Sequence, residues 1–314
     1  MYAVAGRGAA TATSGDAIAQ LWNPSGGEAI SVWSYTAYNV SVFSVLGELV
    51  RTTARGTAGS TTTPDLDNHF GQRAAPSSAP VLDLSNFSTE PTAASPRLIR
   101  NNGNPAAGSP LGWDLPVPIT VPPNSGLAHL ITSNLTVNAD STFVWTPGST
   151  GMGDAFYCGA QPDALGAAEA AWTTLWNPHA SITLYVFYIT FCNRSTAATE
   201  FSAQLVRSTA RGTQSATTTP DADNHVEQRA APVSGAVIDS GYTAEPTMDA
   251  SVLYQWDFNE RSPGGGIIWQ VPTDDENGID TMDGIAVPPG TGLTIRASAA
   301  AVSTSKEVTF GWFE

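Results

Sequence analysis

The feature that most constrains this chain is an internal repeat. Residues Arg51–Pro76 and Arg207–Pro232 form two blocks of 26 residues that are identical at 19 positions. Shorter landmarks keep the same order around each block, namely LWNP at 21 and 175, EPT at 90 and 245, and VPP-x-x-GL at 121 and 287. Because these landmarks occur twice along 314 residues, the sequence predicts two globular domains of roughly 150 residues, a usual size for one folding unit.

The outer landmarks predict where each domain begins and ends. Tyr2 aligns with Tyr157 near the start of each copy, and an aromatic strand closes each copy, at 143–145 and at 310–312. The stretch between the copies is rich in Gly and Ser, which is typical of a short flexible linker. The predicted parts are a first β-sandwich repeat at 1–147, a linker at 148–155 and a second repeat at 156–314.

One loop distinguishes the second copy from the first. The offset between the copies is 154 to 156 through three quarters of their length and 166 to 167 near the end, so about ten residues are inserted within Ser262–Asp283. Acidic residues crowd the stretch 274–283 of this insertion. A solvated acidic loop and a cation-binding loop both remain open, since a cation relieves repulsion between carboxylates but no calcium-loop template fits the spacing.

Strand-forming and turn-forming residues dominate the composition. Only 13% of residues are charged, while 29 Gly and 22 Pro punctuate a background of small and β-prone residues. Ile182–Cys192 is a long β-prone run with two mostly apolar faces, and Ile30–Val45 is its weaker counterpart. Only Asp163–Thr173 has a helical pattern. Further strands are predicted at Glu48–Thr53, Pro80–Leu84, Gly112–Leu115, Leu127–Thr132 and Thr142–Thr146.

Short strands without helical crossovers predict an all-β chain of two tandem antiparallel β-sandwich domains. Jelly-roll and immunoglobulin-like connectivity both fit this pattern, and we predict a jelly-roll-like one. The segment Arg51–Pro76 is long for a hairpin. Sandwich domains use excursions of this kind to contact partners.

The acidic balance of the chain argues against a polyanionic partner. Against 28 Asp and Glu stand only 13 Lys and Arg, which gives a net charge of −15 without any basic stripe. The sequence also lacks a long run of uncharged apolar residues and a basic-then-apolar signal at its amino terminus. We therefore expect no nucleic-acid partner and no membrane partner.

The two cysteines, Cys158 and Cys192, lie in the second copy only. Because the first copy lacks both, the fold does not require a disulfide. We expect free thiols packed in strands, which suits a chain made in a reducing cytoplasm.

The clearest candidate for a metal site is Thr-Pro-Asp-x-Asp-Asn-His, which occurs in both blocks. Two carboxylates at this spacing can face one Ca²⁺, but the glycine and the distal glutamate of an EF-hand loop are missing. The alternative is a turn in which Asp and Asn side chains accept from nearby backbone N–H groups and pair with Arg55 or Arg73. The candidate metal ligands are Asp65, Asp67, Asp221 and Asp223.

The arginines of the blocks are the candidates for a protein interface. Twelve of the thirteen basic residues are Arg, which favours planar, bidentate pairing with carboxylates. Six arginines face four aspartates within the blocks, so pairing within the chain leaves some for an acidic partner surface. The candidate interface residues are Arg51, Arg55, Arg73, Arg207, Arg211 and Arg229.

No catalytic constellation is visible. There are four histidines, and the sequence contains no nucleophile elbow, no phosphate-binding Gly-Lys-Ser/Thr loop and no His-Glu-x-x-His motif. A pair of carboxylates that cleaves a glycoside needs no local motif and stays open. We predict a non-enzymatic protein that needs no cofactor.

Nine tryptophans leave a carbohydrate-binding function open. Trp22 and Trp176, like Trp145 and Trp312, recur at the same place in both copies, beside a proline or in the last strand. This recurrence favours packing in the core or at a sheet edge over a platform that stacks on sugars.

The segments LWNP, RGT and TPD-x-DNH resemble those of small β-sandwich virion proteins of tailed bacteriophages. The resemblance implies a capsid decoration (cement) protein that binds and stabilises the outside of an assembled head, commonly as a homotrimer. It further implies the major capsid protein as partner, synthesis in the host cytoplasm and a place on the capsid exterior. A tail-fibre or adhesin module and a carbohydrate-binding module are the alternatives.

Overall fold

The computed structural model describes most of the chain. The described residues are 2–10, 15–24, 26–40, 46–62, 80–102, 110–131, 137–149, 154–161, 169–193, 199–228, 234–260, 266–270, 284–298 and 306–314. The candidates Asp65, Asp67, Arg73 and Arg229 and the acidic stretch 274–283 lie outside them.

The chain divides into two compact units. The first unit contains Met1–Gly153 together with Val226–Ala230, and the second contains Asp154–His225 together with Ala231–Glu314. The division after Gly153 lies inside the predicted linker. By sequence, Val226–Ala230 were assigned to the second repeat, but in the structure they group with the first unit.

The first unit is built from short antiparallel strands. Its described strands are β1 (Tyr2–Ala10), β2 (Ala17–Asn23), β3 (Ile30–Asn39), β4 (Leu46–Ala54), β5 (Ser60–Thr62), β6 (Val81–Leu84), β7 (Thr92–Ala93), β8 (Ile99–Asn102), β9 (Pro110–Val121), β10 (Ser125–Ile131) and β11 (Val137–Pro147). The five further strands predicted from the sequence all fall within these bounds or overlap them.

The second unit repeats the pattern of short antiparallel strands. Its described strands are β12 (Ala155–Ala160), β13 (Ala171–Trp176), β14 (Leu184–Asn193), β15 (Thr199–Ala210), β16 (Thr213–Thr218), β17 (Val237–Ala244), β18 (Thr247–Glu260), β19 (Gly266–Gln270), β20 (Ile285–Val287), β21 (Gly292–Ala297) and β22 (Lys306–Phe313). A single 3₁₀ turn, Ala222–Asn224, is the only helical element of the described residues.

The strand order in each unit is that of a jelly roll. In the first unit, one sheet has the order β1-β11-β3-β9, and the other has β2-β10-β4 at its centre, with β7 and β8 beside β4 and with β6 and β5 beyond β2. In the second unit the two sheets are β12-β22-β14-β19 and β16-β17-β13-β21-β15-β18. Both correspond to the two four-stranded sheets of an eight-stranded jelly roll, with an added hairpin at one edge. The predicted all-β class of two jelly-roll-like sandwiches is therefore confirmed.

Aromatic side chains from the two sheets fill each core. In the second unit, Trp172 of one sheet stacks on Phe191 of the other with ring centroids 5.0 Å apart. In the first unit, Tyr2 stacks on Trp145 of the neighbouring strand in the same sheet, with ring centroids 4.6 Å apart. Large rings of this kind bury much apolar area in a sandwich.

Strand register corrects the alignment of the two amino-terminal strands. Tyr2 lies opposite Trp145, and it is Phe156, not Tyr157, that lies opposite the equivalent Trp312. The alignment of Tyr2 with Tyr157 is therefore wrong by one residue. A one-residue slip matters because successive residues of a strand point to opposite faces.

The helix predicted at Asp163–Thr173 is also corrected in part. Residues Ala171–Thr173 lie in β13, which pairs with β17 on one side and with β21 on the other. Residues 162–168 lie outside the described residues. The alanines of this run favour a helix in isolation, but hydrogen bonding to two neighbouring strands overrides that propensity.

The register also narrows the position of the inserted loop. Asp114 and Gln270 occupy equivalent positions of the outer strand, as do Ile119 and Ile285. Along the chain, four residues separate Asp114 from Ile119, and fourteen separate Gln270 from Ile285. The insertion therefore lies between β19 and β20.

Candidate interaction surface

Two of the six candidate arginines are engaged in matching ion pairs inside their own units. Arg55 donates from Nε and Nη2 to the two carboxylate oxygens of Asp83, at 2.6 and 2.7 Å. Arg211 makes the same bidentate contact with Asp239, at 2.7 and 2.8 Å. The hydrogen bond to the carboxylate raises the pKa of each guanidinium above its ordinary value.

These aspartates lie outside the repeat blocks. Both carboxylates are buried, and each also accepts from a threonine hydroxyl, that of Thr61 or that of Thr217. Pairing with the aspartates of the blocks, expected from the sequence, is therefore wrong for Arg55 and Arg211. The available signal was that Asp83 and Asp239 occur at the same place in the two copies.

Arg51 is buried in the first unit and binds backbone oxygens. Its Nη1 donates to the carbonyl oxygen of Thr120 at 2.7 Å, and its Nη2 donates to that of Val226 at 2.8 Å. The N–H of Thr120 donates to the same Val226 oxygen at 2.9 Å. Arg51 is only 1% exposed, so its charge is used inside the unit to hold Val226 against β9.

Arg207, the equivalent of Arg51, has a different environment. Its Nη1 donates to the carbonyl oxygen of Ala286 in β20 at 2.5 Å. Unlike Arg51, it remains partly exposed. The block arginines therefore fall into a clamped pair, Arg55 and Arg211, and an unequal pair, Arg51 and Arg207.

The Thr-Pro-Asp-x-Asp-Asn-His segment of the second block forms a capped 3₁₀ turn. The carboxylate of Asp221 accepts from the backbone N–H of Asp223 at 2.8 Å, and the side chain of Asn224 accepts from that of Asp221 at 3.2 Å. Burial raises the pKa of Asp221. This geometry confirms the turn part of the interpretation for the second block, because the Asp221 carboxylate serves as a cap. The pairing part is wrong for Arg55 and Arg211, which bind Asp83 and Asp239 outside the blocks.

Residues of the same turn are anchored on β12. The side chain of Asn224 donates to the carbonyl oxygen of Tyr157 at 2.8 Å. His225 forms a β-bridge with Phe156, and their rings meet edge to face with centroids 5.0 Å apart. The turn therefore holds the chain firmly up to His225, immediately before Val226.

The other repeated landmarks also have structural roles. In LWNP, the buried amide of Asn23 donates to the carbonyl oxygens of Glu28 and Val121, both at 2.9 Å. Asn177 makes the same two bonds, to Ile182 and Val287, at 2.8 Å. Each asparagine ties the loop after its strand to the end of a strand in the facing sheet.

The glutamates of the EPT landmarks bind the first residue of a strand in each unit. The carboxylate of Glu90 accepts from the backbone N–H of Ala17, and that of Glu245 accepts from the N–H of Ala171, both at 2.8 Å. Ala17 and Ala171 are the first residues of β2 and β13. Repetition of these landmarks therefore reflects conserved fold geometry within the chain.

A buried polar cluster in the first unit escaped the sequence reasoning. The Tyr35 hydroxyl lies 2.5 Å from Nδ1 of His129 and 3.2 Å from the hydroxyl of Ser141. Burial lowers the pKa of His129 to about 3 and raises that of Tyr35. The second unit has Ile189, Ile295 and Val308 at the equivalent register positions. All three polar side chains are buried.

An apolar stretch of β18 is open to solvent. Val252, Leu253 and Tyr254 are 40 to 44% exposed, and β18 is the outer strand of its sheet. Because neighbouring residues of a strand point to opposite faces, three exposed in succession leave both faces uncovered. An exposed apolar edge strand is a template for pairing with another chain.

Most described tryptophans are packed in the core or at a sheet edge. The tryptophans whose side chains are described are at most 9% exposed. Trp33 is the exception, since it is partly exposed and donates to the hydroxyl of Thr146. This confirms core or edge packing for Trp22, Trp113, Trp145, Trp176 and Trp312, whereas the side chain of Trp269 lies outside the described residues. Cys158 is a buried thiol in β12 that forms no disulfide, as predicted.

Neither a metal cluster nor a membrane-spanning helix is found in the described part of the chain. No group of three or more His, Cys, Asp or Glu side chains there is arranged to hold a metal ion. None of the described helical residues forms a segment long and apolar enough to cross a membrane. In comparisons with known proteins, the sequence matched no protein-family model, and a search of curated proteins returned no match.

Proposed function

We propose that this chain is a non-enzymatic virion structural protein, a capsid decoration (cement) protein that binds the major capsid protein on the outside of an assembled head. Two jelly-roll domains in tandem support this, because jelly rolls are a recurrent architecture of capsid proteins. The observation that carries the proposal is the exposed apolar edge of β18, which offers a surface for another protein.

The geometry of β18 suits attachment to a protein surface. The strand runs from Thr247 to Glu260 and pairs along one side with β15. The side chains of Val252, Leu253 and Tyr254 are exposed and supply apolar contact area. Backbone pairing gives affinity and the side chains give specificity when a strand is added to a sheet edge.

Co-sedimentation tests this function directly. Purified chain is mixed with empty, expanded heads assembled from the major capsid protein proposed as its partner, and the heads are pelleted. We expect saturable binding at a fixed ratio of chain to capsid protein. A chain that stays in the supernatant at every concentration would contradict the proposal.

A pair of matched variants tests the surface. Val252→Asp places a carboxylate on the proposed contact and should weaken head binding by at least about tenfold, because the charge would be buried without a partner. Val40→Asp changes an equally exposed valine, 44% against 40%, in the first unit and should leave binding unchanged. Equal binding by both variants would argue against β18 as the attachment strand.

The carbohydrate-binding alternative has a smaller basis. In the described part of the chain the exposed aromatic side chains are Tyr38, Tyr185 and Tyr254, at 44 to 46%. Retardation in polysaccharide-containing gels that is lost in Tyr185→Ala or Tyr254→Ala would favour it over the virion role.

A further inference from the structure

The first unit contains an edge site that is filled by part of the second repeat block. Val226 is fully buried there, and its carbonyl oxygen accepts both the N–H of Thr120 and Nη2 of Arg51. Arg51 also reaches the side chain of Gln228 at 3.4 Å. The site therefore consists of an arginine and an outer strand, and its occupant is the residue that follows Asp-Asn-His.

The second unit contains the same arginine and the same strand edge. Thr120 lies opposite Ser31, and Ala286 lies opposite Tyr185, 154 residues later, which is also the spacing of the LWNP landmarks. Arg207 donates to the oxygen of Ala286 as Arg51 donates to that of Thr120. Ala286 thus corresponds to Thr120, and β20 corresponds to the end of β9.

Among the described residues, Val226 lies against the site in the first unit, and the site in the second unit has no equivalent neighbour. No residue that the structure describes stands against Arg207 and β20 in the way that Val226 stands against Arg51 and β9. Consistent with this, Arg207 and Ala286 are partly exposed, whereas Arg51 and Thr120 are buried.

The chain carries one more segment with the sequence of the occupant. TTTPDADNHVEQRAAP of the second block is matched by TTTPDLDNHFGQRAAP of the first, in which Phe70 replaces Val226. We propose that the Arg207–Ala286 edge binds this first block of another copy of the chain, which gives a head-to-tail homo-oligomer. The contact is heterologous, since donor and acceptor surfaces differ, and such contacts build closed rings or open filaments.

Side-chain chemistry supports a self-association site over a site for an unrelated ligand. A guanidinium with one nitrogen already bound to a strand oxygen is oriented to offer its other nitrogen to a second backbone oxygen. That is the arrangement that Arg51 completes with Val226. The inference rests on the repeat and on Arg207, and it does not depend on a role in a virion.

Complementation between two variants tests the proposal on the full chain. Arg207→Ala removes the guanidinium from the binding edge beside Ala286. Phe70→Asp places a carboxylate at the residue whose counterpart, Val226, is buried. We expect sedimentation velocity to show wild-type oligomers, monomers for each variant alone, and a one-to-one heterodimer when the variants are mixed. Arg7→Ala, which alters an exposed ion pair with Asp140, is the matched control and should assemble like the wild type.

The possible results separate clearly. A wild-type chain that is monomeric at tens of micromolar would overturn the proposal. So would oligomers of unchanged mass in Arg207→Ala, or variants that remain monomeric when mixed although their unfolding temperatures match the wild type. Head binding in the co-sedimentation assay is a separate measurement, so failure of one proposal is distinguishable from failure of the other.

Discussion

At the scale of single residues, each repeat block is anchored by a buried carboxylate that lies outside it. Asp83 and Asp239 each accept two hydrogen bonds from an arginine and one from a threonine. A buried carboxylate is costly unless such bonds replace its lost hydration. This explains why the RGT segment recurs with its arginine and a following threonine-rich strand.

Removing either clamp arginine should destabilise the unit that contains it. We expect Arg55→Ala and Arg211→Ala each to lower the free energy of unfolding by about 2–3 kcal/mol, because a buried carboxylate loses a charged partner. Urea unfolding followed by tryptophan fluorescence measures this. Arg7→Ala, in an exposed pair with Asp140, is the control and should have little effect; equal losses in all three variants would contradict the explanation.

His129 should make the first unit sensitive to acid. Its pKa is about 3 in the folded protein and about 6.5 in an unfolded chain, so between these values the unfolded state binds more protons. The stability therefore falls as the pH drops from 6.5 towards 3. We expect NMR titration of ¹⁵N-labelled histidine to show the His129 ring neutral down to about pH 4.

The variant His129→Ile provides the control, since isoleucine stands at the equivalent position of the second unit. Its stability should depend less on pH between 6.5 and 4 than that of the wild type. A His129 ring that titrates near 6.5 would show that it is not held neutral by burial.

At the scale of strands and loops, the LWNP asparagines hold the two sheets of each sandwich together. Asn23 and Asn177 are fully buried, and each satisfies two carbonyl oxygens, one in the following loop and one at the end of β9 or β20. Buried carbonyl groups at strand ends need such partners. The asparagine therefore specifies where the chain leaves one sheet and enters the other.

Replacing these asparagines should weaken each unit separately. We expect Asn23→Ala and Asn177→Ala to cost about 2–4 kcal/mol, because two carbonyl oxygens lose their donors. Hydrogen exchange followed by mass spectrometry should show faster exchange in β2 and β3 for the first variant and in β13 and β14 for the second. Asn138→Ala, on an exposed position of β11, is the control; faster exchange there to the same degree would contradict a specific role.

Pattern recognition succeeded for elements whose environment is local and failed where neighbours decide. The runs that became β4 and β14 contain several β-branched or aromatic residues and were predicted as strands. The alanine-rich start of β13 was predicted as helix, because its strand state depends on pairing with β17 and β21. Propensity is a weak guide when a segment sits in the middle of a sheet.

At the scale of the whole molecule, one architecture occurs twice with two different interiors. The first unit places Tyr35, His129 and Ser141 where the second has aliphatic residues. The surrounding strand order is nevertheless the same. The fold is therefore maintained by strand register and by the repeated landmarks, while the contents of the core vary between the units.

The candidate site was predictable in its parts but not in its arrangement. The arginines and the recurring block were visible in the sequence, and the capped turn at Asp221 followed from known turn chemistry. Which acceptor each arginine meets was not visible, because Arg55 finds Asp83 across the sheet and Arg51 finds Thr120 and Val226 far along the chain.

By itself the sequence determined the duplication, the all-β class, the two sandwiches and the presence of an inserted loop in the second copy, since these depend on repeats, periodicity and turn residues. The tertiary structure decided which carboxylate neutralises Arg55, that Ala171–Thr173 form a strand, and that Val226 fills the site beside Arg51 while the site beside Arg207 differs. The physical reason is that folding brings together residues from 28 to 175 positions apart in the chain. Local sequence carries no record of such partners, and a shift of one residue in register would exchange them.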